Sequence, residues 1–269
     1  MKITILGSGT CVPSLRRSSC SVLANVGDSV LLFDSGAGTM RRLLEAGTTI
    51  DEISHLFYSH LHPDHTGELV SFLFATKYPR NRRHTPLCIV AAKGFNAFYD
   101  KLSSAYDGWI DIAPDLMDIV ELDKVEADHL DFPRFEVDSL PMNHTEESLA
   151  YRITAPDGTS MVYSGDTDMC ENLIVLSKET DILICESALP DGKKAPGHLT
   201  PSLAGEIATA ARVGKLVLTH FYPECDAVDM AAQCRKTYQG PLVLAEDLLQ
   251  LEVGTPDERG VRTGPKAFL

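Results

Sequence analysis

The 269-residue sequence is short of positive charge: 24 Lys and Arg stand against 38 Asp and Glu, a formal net charge of -14. That deficit excludes broad, nonspecific attraction to nucleic acid or to an anionic membrane and leaves only local basic patches to consider. No apolar run approaches the length that spans a bilayer, and the first residues break at Gly7 before a signal-peptide core can form, so a soluble, cytoplasmic protein is expected. The seven cysteines are odd in number and never form a C-x-x-C pair, which argues against a disulfide framework or a structural zinc knuckle. Repeats and Pro/Gly/Ser-rich linkers are also missing, so residues 1–253 are expected to form one domain, with 254–269 as a tail rich in Gly, Pro and charge. Even the glycine turn Gly7-Ser8-Gly9 lacks the third glycine and the following helix of a dinucleotide fingerprint.

What the chain does have is His60-Leu61-His62-Pro63-Asp64-His65, three imidazoles and a carboxylate in one short loop after the strand-like run His55 to Ser59. Borderline-soft nitrogen donors beside a hard oxygen donor, on backbone with turn chemistry, point to a metal site rather than to packing. Hydrophobic periodicity gives strands at Lys2–Leu6, a hairpin of Ser21–Val26 and Ser29–Phe33, and a helix over Thr39–Ala46. Further helices are expected over Gly67–Tyr78, Lys93–Ala105, Glu171–Ser177, Ser202–Arg212 and Val228–Tyr238. Strands are expected at Leu87–Val90, Ile119–Leu122, Phe135–Leu140, Leu149–Ala155, Ser160–Ser164, Ile182–Glu186, Lys215–Thr219, Leu242–Ala245 and Leu249–Val253. The apolar stretch Asp107 to Asp118 takes no secure assignment and is a candidate for lining a pocket mouth. Strand pairs mixed with β-α units imply an α/β protein of mixed sheets covered by helices.

Sites in α/β proteins gather where strands end. Asp34, the histidine loop, His144, Asp166 and His220 each follow a predicted strand, and His198 lies in a Gly-Pro-rich loop. His55, His84 and His129 have no such position and read as bystanders.

The ordered series Asp34, His60-x-His62-x-Asp64-His65, His144, Asp166, His220 resembles the five-part signature of the metallo-β-lactamase superfamily across essentially the whole chain. The resemblance implies a four-layer αβ/βα sandwich, two mixed β-sheets flanked by helices, holding two divalent metal ions, usually Zn2+ with Mn2+ as the alternative. His60, His62 and His144 would hold the first ion and Asp64, His65 and His220 the second, with Asp166 between them. Asp34 would orient the histidine loop. Two dications lower the pKa of a shared water and neutralise charge on the attacked centre, which suits a phosphoryl oxygen and hydrolysis by a bridging hydroxide.

Cys11-Val12-Pro13 to Ser18, Phe33-Asp34-Ser35-Gly36-Ala37-Gly38, Ser164-Gly165-Asp166-Thr167 and Gly197-His198-Leu199-Thr200 are similar to the ribonuclease Z branch. There the counterpart of His198, with the counterpart of Asp64, helps protonate the leaving oxygen, and Arg17 keeps the arginine of a substrate-binding loop. The chain departs from the branch in having only residues 145–165 between His144 and Asp166, too few for the arm that grips transfer RNA. It departs again in reading Cys185-Glu186-Ser187-Ala188 where the branch has His-Glu-Ala-Thr. A basic island of Lys77, Arg80, Arg82 and Arg83 near His84 is a candidate for steering phosphate.

The reading is therefore a binuclear metal-dependent phosphodiesterase of ribonuclease Z-like type, acting on a cyclic nucleotide, a small phosphodiester or an RNA 3' end. Its alternative is a thioester or lactone hydrolase of the same fold. A metal-binding protein without catalysis is disfavoured because every expected ligand is present, and a redox di-iron role because His62 stands where those relatives carry glutamate. Relatives of the branch are often homodimers; no membrane partner is expected.

Overall fold

Strands whose side chains alternate between two apolar environments build the molecule, and the computed structural model describes residues 1–78 and 83–254. One sheet has the order β14 (Leu249–Glu252), β1 (Lys2–Gly7), β2 (Ser21–Val26), β3 (Ser29–Phe33), β4 (His55–Phe57), β5 (Leu87–Ala92), β6 (Met117–Leu122). The other has the order β13 (Leu242–Leu244), β12 (Leu216–Thr219), β11 (Ile182–Glu186), β10 (Ser160–Tyr163), β9 (Leu149–Thr154), β8 (Phe135–Pro141), β7 (Asp128–Phe132). Each is mixed: β3 to β6 run parallel, as do β10 to β13, and the remaining pairs are antiparallel.

Successive residues of a strand point to opposite faces, so each strand serves two cores. Val22, Ala24, Leu31, Phe33 and Phe57 join a core shared with the second sheet. Their neighbours Leu23, Leu32 and Leu56 pack outward with residues of α1 (Thr39–Glu45), α3 (Leu69–Ala75) and α4 (Phe95–Ala105). On the far side α5 (Glu171–Leu176), α6 (Pro201–Ala210) and α7 (Met230–Cys234) contribute Leu173, Ile207 and Cys234 to the first core. The result is the expected αβ/βα sandwich of two seven-stranded sheets flanked by helices.

Several elements differ from the sequence reading. The expected helix Gly67–Tyr78 is the shorter α3, and ahead of it the histidine loop itself holds a helical turn, α2 (Pro63–Thr66), because Pro63 opens a single turn under the His62 cap. The expected helix Val228–Tyr238 is the shorter α7, whose first turn is capped by Asp229 accepting from the Ala232 amide, and a 3-10 turn at Pro223–Ala227 precedes it. Strand β7 was not anticipated. Trp109, in the unassigned stretch, lines an apolar groove with Phe74, Leu44 and Tyr78, and no residue of the histidine loop borders it.

The basic island is not a steering patch at Arg83. That guanidinium is buried and donates to the carbonyls of Ile50, Ile53, Thr85 and Pro86, stitching the turn before β4 to the turn before β5. Lys77 donates to the Gly108 carbonyl, while Arg80, Arg82 and residues 255–269 lie outside the described residues. Among the described residues no helix is long and apolar enough to cross a membrane.

Candidate metal centre

Asp34 follows β3, Ser59 and His60 follow β4, Asp166 follows β10, Glu186 ends β11 and His220 follows β12. Asp34 and His220 both take left-handed backbone, with φ of 57° and 60°. Such a conformation costs a non-glycine residue about 1–3 kcal/mol and survives only where the surroundings hold it.

The surroundings of Asp34 are visible. Its buried carboxylate accepts from the Ser59 amide (2.8 Å), the Ser59 hydroxyl (2.8 Å), the Tyr163 hydroxyl (2.7 Å) and His65 Nδ1 (2.7 Å). With its own proton given to Asp34, the Ser59 hydroxyl accepts from His60 Nδ1 at 3.0 Å. On the other sheet His144 Nδ1 donates to the Gly197 carbonyl at 2.8 Å. In each of these three rings the Nδ1 proton is spent on the protein, which turns Nε2 to the centre; it is a bare lone pair on neutral His60, while burial of His65 is outweighed by Asp166 and Asp34, which hold that ring well above the usual imidazole range, so that a cation there would take the place of the Nε2 proton.

Gly36, in the turn after β3, packs directly on the histidine loop, where a Cβ would lie 2.1 Å from the Asp64 carbonyl oxygen. The turn is tied further by the Ser35 amide to the His65 carbonyl and by the Glu68 carboxylate to the Gly38 and Met40 amides.

The donor atoms converge. His62 Nδ1 is 3.0 Å from His60 Nε2 and 3.2 Å from His144 Nε2. One oxygen of Asp166 lies 3.9 and 3.8 Å from His60 and His144, and the other lies 3.3 and 3.4 Å from Nε2 of His65 and His220. Asp64 Oδ2 is 3.6 Å from His220 Nε2. Donor atoms of His60, His62, His144 and Asp166 thus form one cluster that could hold a cation, and Asp64, His65 and His220 form a second. Asp166, His198 and His220 also meet this criterion.

Buried polar atoms normally have partners. Here His65 Nε2, Asp166 Oδ1 and both ring nitrogens of His220 are buried with no hydrogen bond, and all but His220 Nδ1 face one another across the centre. Orphaned donors of this type, arranged around one point, fit divalent cations.

Electrostatics agree. Burial, reinforced by the charge of His65, holds His60 well below the usual imidazole range and therefore neutral. Burial opposes ionisation of Asp166, but the charges of His220 and His65 outweigh it and hold the carboxyl well below its ordinary range. Asp64 is likewise drawn down to about 2, with burial opposing and His220 and His65 prevailing.

His198 stands beside this cluster. Its Nδ1 is 3.0 Å from Glu186 Oε1 and 3.9 Å from Asp166 Oδ2, and its ring stacks on His220 at 5.7 Å. The direct partner of His198 is therefore Glu186, while Asp64 pairs with His220. Sequence reasoning noted Cys185-Glu186-Ser187-Ala188 only as a departure and gave Glu186 no task. Its position at the end of a buried strand, like the other site residues, was the available signal. Glu186 is 1% exposed and also accepts from the amides of Thr167, Ala188 and Leu199, which fixes it in place. Arg17 is committed elsewhere, donating to Ser8, the Ala245 carbonyl and Asp226 and lying 4.8 Å over the Phe221 ring.

Comparison with known proteins follows the same lines. The chain is 28% identical over 245 residues to the uncharacterized protein Rv1339 of Mycobacterium tuberculosis, covering 90% of this chain and 88% of that one. It is 25% identical over 308 residues to ribonuclease Z of Methanothermobacter thermautotrophicus, covering 96% and 98%. The metallo-β-lactamase fold protein YhfI from Bacillus subtilis superposes with a TM-score of 0.79 at 23% identity, covering 93% of this chain and 99% of that one. The fold is the metallo-β-lactamase fold, and with its clustered donors the chain is a metal-dependent hydrolase. The family model described as anti-Pycsar protein Apyc1 matches residues 1–227, so the chain belongs to that family.

Proposed function

We propose that the chain is a binuclear metal-dependent phosphodiesterase of ribonuclease Z-like type, acting on a short phosphodiester: a cyclic nucleotide, a small diester or an RNA 3' end. The observation that carries the reading is the pairing of two donor clusters, with Asp166 in one and facing the other, with a histidine beside them whose Nδ1 is already bonded to a buried carboxylate.

In this reading His60, His62 and His144 hold one divalent ion, Asp64, His65 and His220 hold the other, and Asp166 faces both. Imidazole and carboxylate donors suit zinc and also accept manganese. Bound there, the ions supply Lewis acidity toward phosphoryl oxygen and make water nucleophilic near neutral pH. The protein does the rest. Asp34, Ser59 and the Gly197 carbonyl fix the tautomers of His65, His60 and His144, so those rings need no reorganisation on binding.

Glu186 accepts the Nδ1 proton of His198 and leaves Nε2 as the atom that holds a proton for the leaving oxygen. Burial disfavours charge on His198, but the hydrogen bond and charge of Glu186 outweigh it and raise its pKa above the ordinary imidazole value. A departing alkoxide then meets an imidazole that holds its proton more readily than a free one.

Substrate size follows from chain economy and charge. Residues 145–165 hold only a turn, β9, the loop at 155–159, β10 and the first residues after it, so that span supplies no projecting arm. With a net charge of -14, the protein lacks the general attraction that a folded polyanion would need.

The test is a substrate panel on metal-analysed protein, with bis(p-nitrophenyl) phosphate beside a glutathione thioester and His198→Ala as control. Turnover of the diester, lost in His198→Ala with metal retained, supports the reading. Hydrolysis of the thioester alone contradicts it.

A further inference from the structure

Beyond its histidines and Tyr163, whose buried hydroxyl is bonded to Asp34, the centre has a further aromatic neighbour. Tyr222, two residues after His220, stands edge-on to both His198 (6.3 Å, 76°) and His220 (6.1 Å, 83°). Those two imidazoles are stacked on each other, so the tyrosine closes the side of the pair. Its backbone is fixed: the Tyr222 amide donates to the Ala188 carbonyl, the preceding Phe221 amide donates to the Ser8 carbonyl, and Tyr222 begins the turn that runs to Ala227. Its hydroxyl reaches outward to Cys11 Sγ at 3.8 Å, an exposed residue of a different loop.

That loop is itself anchored at its base. Asp247 accepts from the Ser8 amide on one side and the Ser18 amide on the other. Its tip exposes Val12 and Leu15, the latter entirely free of packing. The ring of Tyr222 therefore spans from the buried histidines to a solvent-facing apolar loop, held at both ends.

We propose that Tyr222, braced by Cys11, is the residue that packs against the nucleobase of the diester whose phosphate enters the histidine centre. The inference rests on the phosphodiesterase reading. A nucleotide carries its base one sugar away from the phosphorus, so an aromatic ring one side chain outside the phosphate position lies where the base arrives. Every base has a π-face, and an aromatic side chain binds it with little regard to its identity.

The test measures affinity by calorimetry on full-length, metal-analysed protein, comparing adenosine 5'-monophosphate with ribose 5-phosphate, which lacks only the base. Wild type is expected to prefer the nucleotide by about tenfold or more, the range that base-aromatic stacking supplies. Tyr222→Ala and Tyr222→Leu should bring the ratio close to one while changing ribose 5-phosphate affinity less than about threefold, and Tyr222→Phe should keep most of the preference. A wild type that does not distinguish the ligands, an unchanged ratio in Tyr222→Ala, or an equal loss for both ligands overturns the proposal. Failure of the phosphodiesterase reading shows separately, as absent cleavage of bis(p-nitrophenyl) phosphate by the same loaded wild type.

Discussion

Glu186 and His198 are joined by a 3.0 Å hydrogen bond between a carboxylate with almost no exposure and an imidazole at the edge of the metal centre. Three backbone amides hold the carboxylate from other directions, so it cannot follow the histidine if the histidine moves. The pair sets both the tautomer of His198 and its charge.

A leaving-group acid must be protonated, so turnover falls as pH rises through its pKa. Glu186→Gln keeps a hydrogen-bond acceptor and removes the charge that raises the His198 pKa. The alkaline limb of the kcat profile should move to lower pH, and kcat above that limb should fall about tenfold or more, while His198→Ala loses about a hundredfold at its optimum. Bound metal per chain, measured by elemental analysis, should stay unchanged in both variants.

Asp34 accepts four hydrogen bonds, two from Ser59 and one each from His65 and Tyr163. Removing the support of metal-binding histidines typically weakens metal affinity about 10- to 100-fold. Asp34→Asn is expected near the upper end and Tyr163→Phe near the lower end, read by competition with a chelator. Tyr163→Phe should keep the wild-type melting temperature more closely, because the ring packing against Phe33 survives.

Gly197 joins the two halves of the centre: its carbonyl accepts from His144, and His198 is the next residue. Its φ is +79°, and a Cβ there would meet His144 Nδ1 at 2.9 Å. Gly158 has a similar φ of +82° with open space around it. Both alanine variants should lose about 1 kcal/mol of stability from backbone strain. Gly197→Ala alone should also lose metal affinity and at least about tenfold in turnover.

His55 packs edge-on against Phe132 and Phe135, and burial pushes its pKa down to about 4. In the unfolded chain it titrates near 6.5, so the unfolded state binds more protons between these values. Stability should therefore fall as pH drops from about 6.5 to about 4, with up to about 3 kcal/mol attributable to this residue. Denaturant melts of His55→Leu across that range should show a shallower dependence than wild type by this amount.

Most of this architecture was legible because strand alternation and strand-end placement are local signals. Asp34, His60, His144, Asp166 and His220 stand out since each polar residue interrupts the sequence where an apolar run stops. Strand β7 escaped because Asp128-His129-Leu130-Asp131-Phe132 is a half-exposed edge strand carrying the acidic residues that strands usually avoid. Arg83 misled because a cluster of basic residues reads as solvated, whereas four backbone carbonyls bury this one. Glu186 escaped as a partner because its bond to His198 is made across an irregular loop, which no periodicity encodes.

The most direct measurement is turnover of bis(p-nitrophenyl) phosphate against divalent metal per chain, starting from chelator-stripped protein and adding zinc or manganese in equivalents. The expected result is no turnover without metal and a rise that levels near two equivalents, with Asp166→Ala unable to reach that plateau. Equal turnover in the stripped protein, or none after two equivalents are bound, would contradict a binuclear metal-dependent phosphodiesterase.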